Sequence, residues 1–591
     1  MYNQKKNILF FFISLFLVQC QSPPKNINNK ITDSISPIII ASAARIDHKS
    51  AEASGSKYAV ATQGIYATIA AKEIFKLGGN AIDAAIAASF TLAVERPHST
   101  GIGGGGFMLF REGKTKKIFA IDFRERAPLK SSENMFVGLD GKVVHNLSLD
   151  GVLASAVPGL VAGLLEIHQR FGRLTRKSIL KPAISLARNG FPIYPSLAGA
   201  LIQKEEVLSH DPEARKIFLD NKMKAFPEGH ILKQIDLAHT LERISKLGRA
   251  GFYQGEVAKE YIALNKKGKG LLVKNDLSSY HVKWRTPLKG DYKGFEIYSM
   301  PPPSSGGVHV IQFLNMLELD SLHDVGLLST RSIHLAASSL QAAFADRAQY
   351  LGDPDFTKVP VASLISKEYA QMRRNEFSID HARKSSDVKA GDVTRFEHTE
   401  TTHLSIMDDE GNAVATTQTI NGYMGASIVV PHTGIVLNNE MDDFTALVGA
   451  SNLFGAIGGK ANSIVPGKTP LSSMSPTIIV RDGSPVLSLG APGGTRIISC
   501  VAQTILNYLE FKIPLYESVA TIRYHHQWLP DVLDIDPPGP RKEVLKELIK
   551  LGYNVQLRPV PCNVMAVSKE KNNNTFHAVA DPRDIGTSTA L

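Results

Sequence analysis

Thr401 and Thr402 follow a polar, charged stretch, Ser385 to Glu400, and open a segment typical of a β-strand. A threonine hydroxyl is a weak nucleophile and needs a base to take its proton. When the threonine is the first residue of a chain, its own α-amine, with a pKa of about 8, can be that base. A cut between Glu400 and Thr401 would free this amine and make Thr401 the nucleophile, but Thr401 and Thr402 alone do not establish it. The alternative is a threonine at the start of an ordinary strand.

Five further motifs surround Thr401 along the chain. They are Asp122–Pro128 (DFRERAP), Thr419–Asn421 (TIN), Leu437–Phe444 (LNNEMDDF), Pro470–Pro476 (PLSSMSP) and Pro492–Arg496 (PGGTR). Together with Thr401-Thr402-His403, this ordered set resembles the γ-glutamyltranspeptidase family over nearly the whole chain, from about Ala59 to Arg583. The resemblance implies an N-terminal nucleophile hydrolase with a four-layer αββα sandwich.

The same resemblance implies how the chain is organised and what it acts on. One precursor would cut itself into a large subunit, residues 57–400, and a small subunit, residues 401–591. The donors would be glutathione and other γ-glutamyl compounds, and the γ-glutamyl group would pass to water or to an amino-acid or peptide acceptor. The resemblance implies no cofactor.

The resemblance also assigns a donor-binding role to six residues: Arg124, Asn421, Glu440, Asp443, Ser472 and Ser473. A γ-glutamyl donor carries an α-carboxylate and an α-ammonium at one end. Arg124 offers a planar charged fork to the carboxylate, and the two serines add hydroxyl hydrogen bonds. Glu440 and Asp443 match the ammonium, with Asn421 as a further polar contact. Outside this context, Arg124 would be read as an ion pair with Glu125, and the acids and serines as parts of loops.

Three more residues are expected to act on the scissile bond. The backbone N–H groups of Gly493 and Gly494 form the expected oxyanion hole, because glycine lets the backbone approach a tetrahedral oxygen closely. Thr419 is expected beside Thr401, orienting its hydroxyl and assisting self-cleavage. The alternatives are a simple tight turn for the glycines and a packing role for Thr419.

Phe454 is a departure from the family pattern. In many bacterial relatives a tyrosine in a flexible lid covers the donor and hydrogen-bonds the residue that matches Asn421. Here Asn452-Leu453-Phe454-Gly455 keeps the lid but loses the hydroxyl. We expect a lid that shields the site by apolar contact and latches less firmly, which favours hydrolysis over transfer.

Two other functions remain as alternatives. A glutaryl-cephalosporin-type acylase would use the same scaffold, but its substrate has no α-ammonium for Glu440 and Asp443 to hold. An inactive surface lipoprotein would keep the fold as a binding module, but it would not need Thr401, Thr419 and the glycine pair.

The N-terminal twenty residues predict export. Lys5 and Lys6 precede an apolar run, Ile8–Val18, which is too short to span a bilayer. Leu17-Val18-Gln19-Cys20 resembles a lipoprotein cleavage site at which Cys20 would be lipidated, although Gln19 replaces the usual small residue. A plain signal peptide is the alternative. Residues 21–56 are rich in polar residues and proline, which is typical of a tether.

Charge and cysteine usage exclude several classes. The net charge of +10 comes from basic residues spread along the chain, without the stacking aromatics or modules of a nucleic-acid surface. Cys500 and Cys562 are too few for a thiolate metal site and form either two buried thiols or one bridge.

Adjacent His525 and His526 should point to opposite faces, so we predict no metal there. Gly103–Gly106 lacks a phosphate-loop motif and is expected to be a close-packing turn beneath the donor site.

The hydrophobic pattern predicts the elements that must position these residues. Helical spacing occurs in Ala61–Leu77, Ala81–Val94, Val308–Leu319, Ile497–Leu509 and Lys542–Leu551. Strand pairs are expected at Phe107–Phe110 with Lys117–Asp122, His403–Met407 with Asn412–Thr417, and Thr477–Val480 with Val486–Leu489. Ser155–Lys389 is expected to be mostly helical. Strands with helices on both sides predict a layered α/β sandwich.

Overall fold

The structure is a computed structural model that describes residues 38–42, 44, 50–144, 146–389 and 401–591. The signal segment with Cys20, most of the tether, and Glu400 lie outside the described residues. The strands are β1 (Glu52–Gly55), β2 (Tyr58–Thr62), β3 (Gly105–Arg111), β4 (Ile118–Asp122), β5 (Phe191–Pro192), β6 (Ile231–Leu232), β7 (Lys283–Arg285), β8 (Leu288–Tyr292), β9 (Phe295–Ser299), β10 (Thr402–Asp408), β11 (Ala413–Thr419), β12 (Val429–Val430), β13 (Ile435–Val436), β14 (Thr477–Arg481), β15 (Ser484–Gly490), β16 (Tyr524–His525), β17 (Leu533–Ile535), β18 (Val555–Leu557), β19 (Met565–Lys569), β20 (Phe576–Ala580) and β21 (Thr587–Ala590).

The α-helices are α1 (Ile65–Lys76), α2 (Ala81–Glu95), α3 (Asn146–Leu149), α4 (Leu160–Phe171), α5 (Arg176–Asn189), α6 (Pro195–Leu208), α7 (Pro212–Phe218), α8 (Ile235–Leu247), α9 (Ala250–Tyr253), α10 (Gly255–Lys267), α11 (Lys274–Ser279), α12 (Gly306–Leu317), α13 (Leu322–Val325), α14 (Thr330–Tyr350), α15 (Val361–Leu364), α16 (Lys367–Asn375), α17 (Arg496–Leu509), α18 (Leu515–Ala520) and α19 (Lys542–Lys550). Short 3₁₀ turns cover Val152–Ala154, Ser385–Asp387, Glu440–Asp443 and Lys460–Asn462.

Two antiparallel sheets of seven strands each form the centre of the fold. The first has the order β1-β20-β19-β15-β14-β9-β8, and the second has the order β21-β2-β10-β11-β3-β4-β7. In the second sheet Leu404 of β10 lies opposite Thr62 on one side and Thr416 on the other. Strands from before and after Thr401 are therefore interleaved in one sheet.

Alternating side chains of the second sheet supply two separate cores. Met108 and Phe110 of β3 pack with the outer helices, whereas Phe107 and Leu109 pack between the sheets. This division follows from the twofold period of a strand, in which successive side chains point to opposite faces. Helices α1, α2 and α4 cover the second sheet, and α12 and α17 cover the first. Helix α5 packs on α2, and α14 packs on α12, so these two helices lie outside the first layer of helices. The predicted four-layer αββα sandwich is confirmed.

The hairpins predicted around the chemistry are confirmed, including β10 with β11 and β14 with β15. The prediction that a helix begins at Ala61 is wrong, because Ala61 and Thr62 belong to β2 and pair with β10. The helix begins only at Ile65, after Gly64 in an extended conformation. The helical prediction for Ser155–Lys389 holds for most of that segment but misses β7, β8 and β9, which extend the edges of the two sheets.

Cys500 and Cys562 form a disulfide, with their Cα atoms 6.7 Å apart and both side chains buried. The bridge joins α17 to the segment that leads into β19. It settles the choice that the sequence left open between two thiols and one bridge. Across the described residues, no helix combines the length and the apolar character needed to cross a membrane.

Candidate active site

Thr401 is buried and immediately precedes β10 of the second sheet. Pairing of Thr402 with Gln418 makes Thr419 the neighbour of Thr401 at the end of the same ladder. The Thr401 hydroxyl donates to the Thr419 hydroxyl at 3.5 Å, and the latter accepts the Asn421 N–H at 2.8 Å. The fold thus places a fixed hydroxyl beside the expected nucleophile, as the sequence predicts.

The glycine-rich loop lies directly beneath this pair. A Cβ added to Gly104 would stand 2.0 Å from the carbonyl oxygen of Thr419 and 2.9 Å from a methyl group of Ile420. Only glycine allows this approach of two backbones. The loop is therefore a close-packing turn that supports the end of β11, as predicted.

One cavity brings the expected donor-binding residues to Thr401. It is lined by Arg124, Arg347, Thr401, Thr419, Asn421, Glu440, Asp443, Phe454, Ser472, Ser473, Met474, Gly494 and Ile497. We call it the donor cavity. Its volume of about 20 Å³ has room for little more than one water molecule.

Arg124 is the centre of the charge in the donor cavity. Its guanidinium contacts a carboxylate oxygen of Glu440, lies 2.5 Å from Asp443 and lies 3.8 Å from Glu125. Burial opposes the charge on Arg124, but the three carboxyl groups outweigh it and raise its pKa. From the sequence, an ion pair with Glu125 was the alternative to a binding role for Arg124. This contact is the longest of the three. Residues expected to hold opposite ends of the donor thus contact each other in this structure.

The acids around Arg124 differ from ordinary surface carboxylates. Burial raises the pKa of Glu440 well above its usual range and that of Glu125 to about 7, although Arg124 opposes both shifts. Burial likewise raises the pKa of Asp443. A buried cation beside buried acids matches a ligand that carries both an ammonium and a carboxylate. Sequence reasoning treated Glu125 only as a neighbour of Arg124 and missed its place in this cluster.

Arg347 on α14 is a lining residue that the sequence analysis missed. Its Nε donates to Ser305 at 3.0 Å, and its Nη2 donates to the hydroxyl of Ser473 at 3.3 Å. Burial lowers the pKa of Arg347 to about 10, so the side chain stays charged at neutral pH. The available signal was helical spacing, since Arg347 continues the buried face of Leu340 and Phe344.

Gly493 and Gly494 form the turn before α17, with φ angles of +133° and +54°. Among the described residues, neither backbone N–H donates a hydrogen bond to a protein acceptor. Gly494 lines the donor cavity with Thr401, and Gly493 packs against the disulfide segment. A Cβ added to Gly493 would lie 2.6 Å from the oxygen of Pro561 and 2.8 Å from Cβ of Cys562. Both N–H groups of the turn are therefore available as donors, and the oxyanion hole stays a prediction.

Phe454 lines the donor cavity and is 8% exposed. Its segment is held by bonds that need no hydroxyl at this position. The Leu453 N–H donates to Asp442 at 2.7 Å, and the Asn452 amide donates to Asp443 at 2.9 Å. The Asn421 amide donates to the carbonyl of Asn439 at 3.1 Å. The lid is thus tied to the turn that carries the acids.

The adjacent histidines diverge. His525 contacts Ser499 at 2.7 Å, and His526 lies 3.3 Å from Asp531. In the part of the chain that the structure describes, no group of three or more His, Cys, Asp or Glu side chains is arranged to hold a metal ion.

Comparison of the whole chain with known proteins identifies its family. A family model described as Gamma-glutamyltranspeptidase matches residues 67–591. The chain belongs to the γ-glutamyltranspeptidase family. It is 41% identical over 532 residues to the glutathione hydrolase proenzyme of Escherichia coli (strain K12), covering 90% of this chain and 91% of that protein.

Two further comparisons bear on the choice of function. The chain is 35% identical over 548 residues to the acylase ACY 1 proenzyme of Pseudomonas sp. (strain SE83), covering 91% of this chain and 94% of that protein. It also matches the crystal structure of Helicobacter pylori gamma-glutamyltranspeptidase with a TM-score of 0.54 and 42% identity, covering 55% of this chain and 93% of that one. Hydrolase and acylase names therefore both occur among similar proteins.

Proposed function

We propose that the protein is a self-cleaving γ-glutamyltransferase and glutathione hydrolase. The observation that carries the proposal is one cavity in which Thr401 lies with Thr419, Arg124 and the acids Glu440 and Asp443. The cluster of opposite charges suits the amino-acid end of a γ-glutamyl donor. Thr401, the expected nucleophile, lines the same cavity.

Maturation would begin with attack of the Thr401 hydroxyl oxygen on the carbonyl carbon of Glu400. The C–N bond breaks, and the Glu400 acyl group moves to the hydroxyl oxygen as an ester. Water then hydrolyses the ester, leaving a carboxylate on Glu400 and a free α-amine on Thr401. Thr419 would orient the attacking hydroxyl, and the distance of 3.5 Å between the two hydroxyl oxygens supports this role.

In the mature enzyme the α-amine of Thr401 takes the hydroxyl proton as the oxygen attacks the γ-amide carbonyl of the donor. The N–H groups of Gly493 and Gly494 hold the oxyanion. The amine then gives the proton to the departing nitrogen, and a γ-glutamyl ester remains on Thr401. Water or an acceptor amine attacks this ester and releases glutamate or a new γ-glutamyl amide.

Arg124, Ser472 and Ser473 would bind the α-carboxylate of the donor, and Glu440, Asp443 and Asn421 its α-ammonium. We rank the acylase function second, because a glutaryl substrate has no ammonium group for the buried acids Glu440 and Asp443 to bind. The inactive binding module ranks third, since the chain retains Thr401, Thr419 and the glycine pair.

We also propose that the protein works outside the cytoplasm. The charged and apolar pattern of residues 1–20 supports export. The disulfide between Cys500 and Cys562 supports it independently, because such bridges persist in oxidising compartments. Attachment of a lipid at Cys20 is part of this proposal and rests on the sequence alone.

The deciding experiment combines a denaturing gel, N-terminal sequencing of the smaller band, and an assay with a γ-glutamyl anilide. We expect a fragment that begins Thr401-Thr402-His403, and turnover that releases the aniline. Thr401→Ala should give an intact, inactive chain, and Thr402→Ala is the neighbouring control. An uncut wild-type chain without turnover would refute the proposal and favour a binding module.

A further inference from the structure

Arg347 is a buried arginine of the donor cavity that has no carboxylate partner. It lies in the last turn of α14 and is 6% exposed. Across the described residues its guanidinium forms no ion pair, whereas the guanidinium of Arg124 contacts both Glu440 and Asp443. Asp443 acts on the pKa of Arg347 only from beyond ion-pair distance. A buried charge without a counterion is costly, so the donor cavity is suited to a ligand that brings a negative charge.

The side chain of Arg347 fixes the hydroxyl of Ser473. The Nη2 of Arg347 donates to the Ser473 Oγ at 3.3 Å. Within the described part of the chain, the Ser473 hydroxyl donates to no protein acceptor. A serine hydroxyl has one proton to donate, and the bond from Arg347 occupies its acceptor side. The proton of Ser473 is therefore left for a ligand in the donor cavity.

Ser305 connects the same guanidinium to Ser472. The Nε of Arg347 donates to the Ser305 Oγ at 3.0 Å, and this Oγ donates to the carbonyl of Ser472 at 2.8 Å. The Ser305 N–H donates to the same carbonyl, also at 2.8 Å. The Ser472 hydroxyl accepts the N–H of Met474 at 3.1 Å and donates to no acceptor among the described residues. Arg347 thus holds both serines while the protons of their hydroxyls stay available.

These features together favour a carboxylate as the ligand. A carboxylate accepts hydrogen bonds and donates none, so it can take the protons of Ser472 and Ser473. It also brings the negative charge that the guanidinium of Arg347 lacks. Hydrogen bonds to a charged group are about twice as strong as those between neutral groups. An uncharged group at the same position would leave the cation unpaired.

We propose that Arg347 determines the preference of the enzyme for donors that carry an α-carboxylate. It is a positioning residue that holds Ser472 and Ser473 as hydrogen-bond donors to this carboxylate, and the carboxylate becomes its counterion. This inference rests on the proposed function. It assigns part of the selection of the donor to a residue that lies outside the motif set.

The test compares three anilides that differ only at the α-carbon. γ-Glutamyl anilide has both charged groups, 4-aminobutyryl anilide lacks the carboxylate, and glutaryl anilide lacks the ammonium. Release of the aniline gives kcat/KM for each. The carboxylate preference is the ratio of kcat/KM for γ-glutamyl to 4-aminobutyryl anilide, and the ammonium preference is the ratio for γ-glutamyl to glutaryl anilide. Arg347→Gln should lower the carboxylate preference about tenfold, the strength of one hydrogen bond to a charged group, and keep the ammonium preference.

Two further variants keep the result interpretable. Arg331→Gln makes the same change in the first turn of α14, where the side chain is 51% exposed and lies 3.9 Å from Asp320, and it should leave both ratios at the wild-type values. Arg347→Lys keeps the charge but cannot contact Ser305 and Ser473 as a planar fork, so the carboxylate preference should fall about threefold. This variant decides by the same ratio if Arg347→Gln does not cleave itself.

The outcomes separate the two proposals. A carboxylate preference that stays at the wild-type value in a self-cleaved Arg347 variant refutes the inference, and so does an equal fall in both ratios, which would show general damage to the site. If neither Arg347 variant cleaves itself, Arg347 serves folding or maturation, and the inference fails. A wild type that turns over γ-glutamyl and 4-aminobutyryl anilide equally well also refutes it, while the proposed function stands. A folded wild type that does not turn over γ-glutamyl anilide refutes the proposed function itself.

Discussion

Replacing Gly493 by alanine tests the oxyanion turn most directly. The new Cβ would lie 2.6 Å from the backbone oxygen of Pro561, about 0.8 Å closer than an ordinary contact of 3.4 Å. The Pro561 segment is held by the disulfide at Cys562, so the glycine turn must supply most of the movement. Alanine is also strained at a φ of +133°.

The displacement sets the size of the effect. An oxyanion donor works at about 2.7–3.1 Å, so a shift of about 0.8 Å breaks its hydrogen bond. Loss of one such donor costs about 3–4 kcal/mol in the transition state, or a hundred- to a thousandfold in kcat. Since the substrate amide is neutral before attack, KM should change far less than kcat.

The assay is steady-state turnover of the γ-glutamyl anilide, normalised to the amount of small subunit with a free N-terminal Thr401. Gly552→Ala is the matched control, because Gly552 has a φ of +105° and open space around its Cβ position. It should lose about 1–2 kcal/mol of stability from backbone strain and keep its kcat. A folded Gly493→Ala enzyme with a kcat within threefold of the wild type would refute the reasoning.

Three other substitutions address the donor cavity. Arg124→Lys should lower kcat/KM for the anilide about a hundredfold, because lysine cannot contact two carboxylates and the donor as a planar fork; a loss below threefold would contradict this. Phe454→Tyr should raise the ratio of transfer to hydrolysis two- to tenfold, the strength of one hydrogen bond, and an unchanged ratio would count against it. Burial raises the pKa of Asp442 from 3.8 to about 7, so ionisation of this carboxyl should lower the free energy of unfolding by about 4 kcal/mol. This destabilisation is absent below pH 3.8 and complete above pH 7. Asp442→Asn should therefore flatten the fall in melting temperature between pH 4 and pH 8, and equal pH profiles for the two proteins would refute that assignment.

The sequence was most informative where local pattern and motif agree. Alternation of apolar residues predicts β10 and β11, and their hairpin pairing alone brings Thr419 to Thr401. The expected donor-binding residues come from four distant segments, and only the shared motif set predicts that they meet. Composition and periodicity alone would have left Arg124 as an ordinary ion pair.

Features fixed by tertiary contact could not be predicted in the same way. Arg347 and Ser473 are 126 residues apart, and nothing in either segment names the other as its partner. β8 alternates buried with exposed residues over only five positions at a sheet edge, too short to stand out from helical surroundings. The pairing of Cys500 with Cys562 depends on how α17 packs against the approach to β19, which no local spacing reveals.

The interleaving of β2, β10, β11 and β3 limits how far the two halves of the chain can be separated or exchanged. A cut before Thr401 leaves β10 and β11 hydrogen-bonded between two strands of the other piece. The pieces therefore share one folding unit, and neither can leave without exposing the core between the sheets. Mixing two mature enzymes should not exchange their subunits, and a split gene should yield active protein only when both halves fold together from the start.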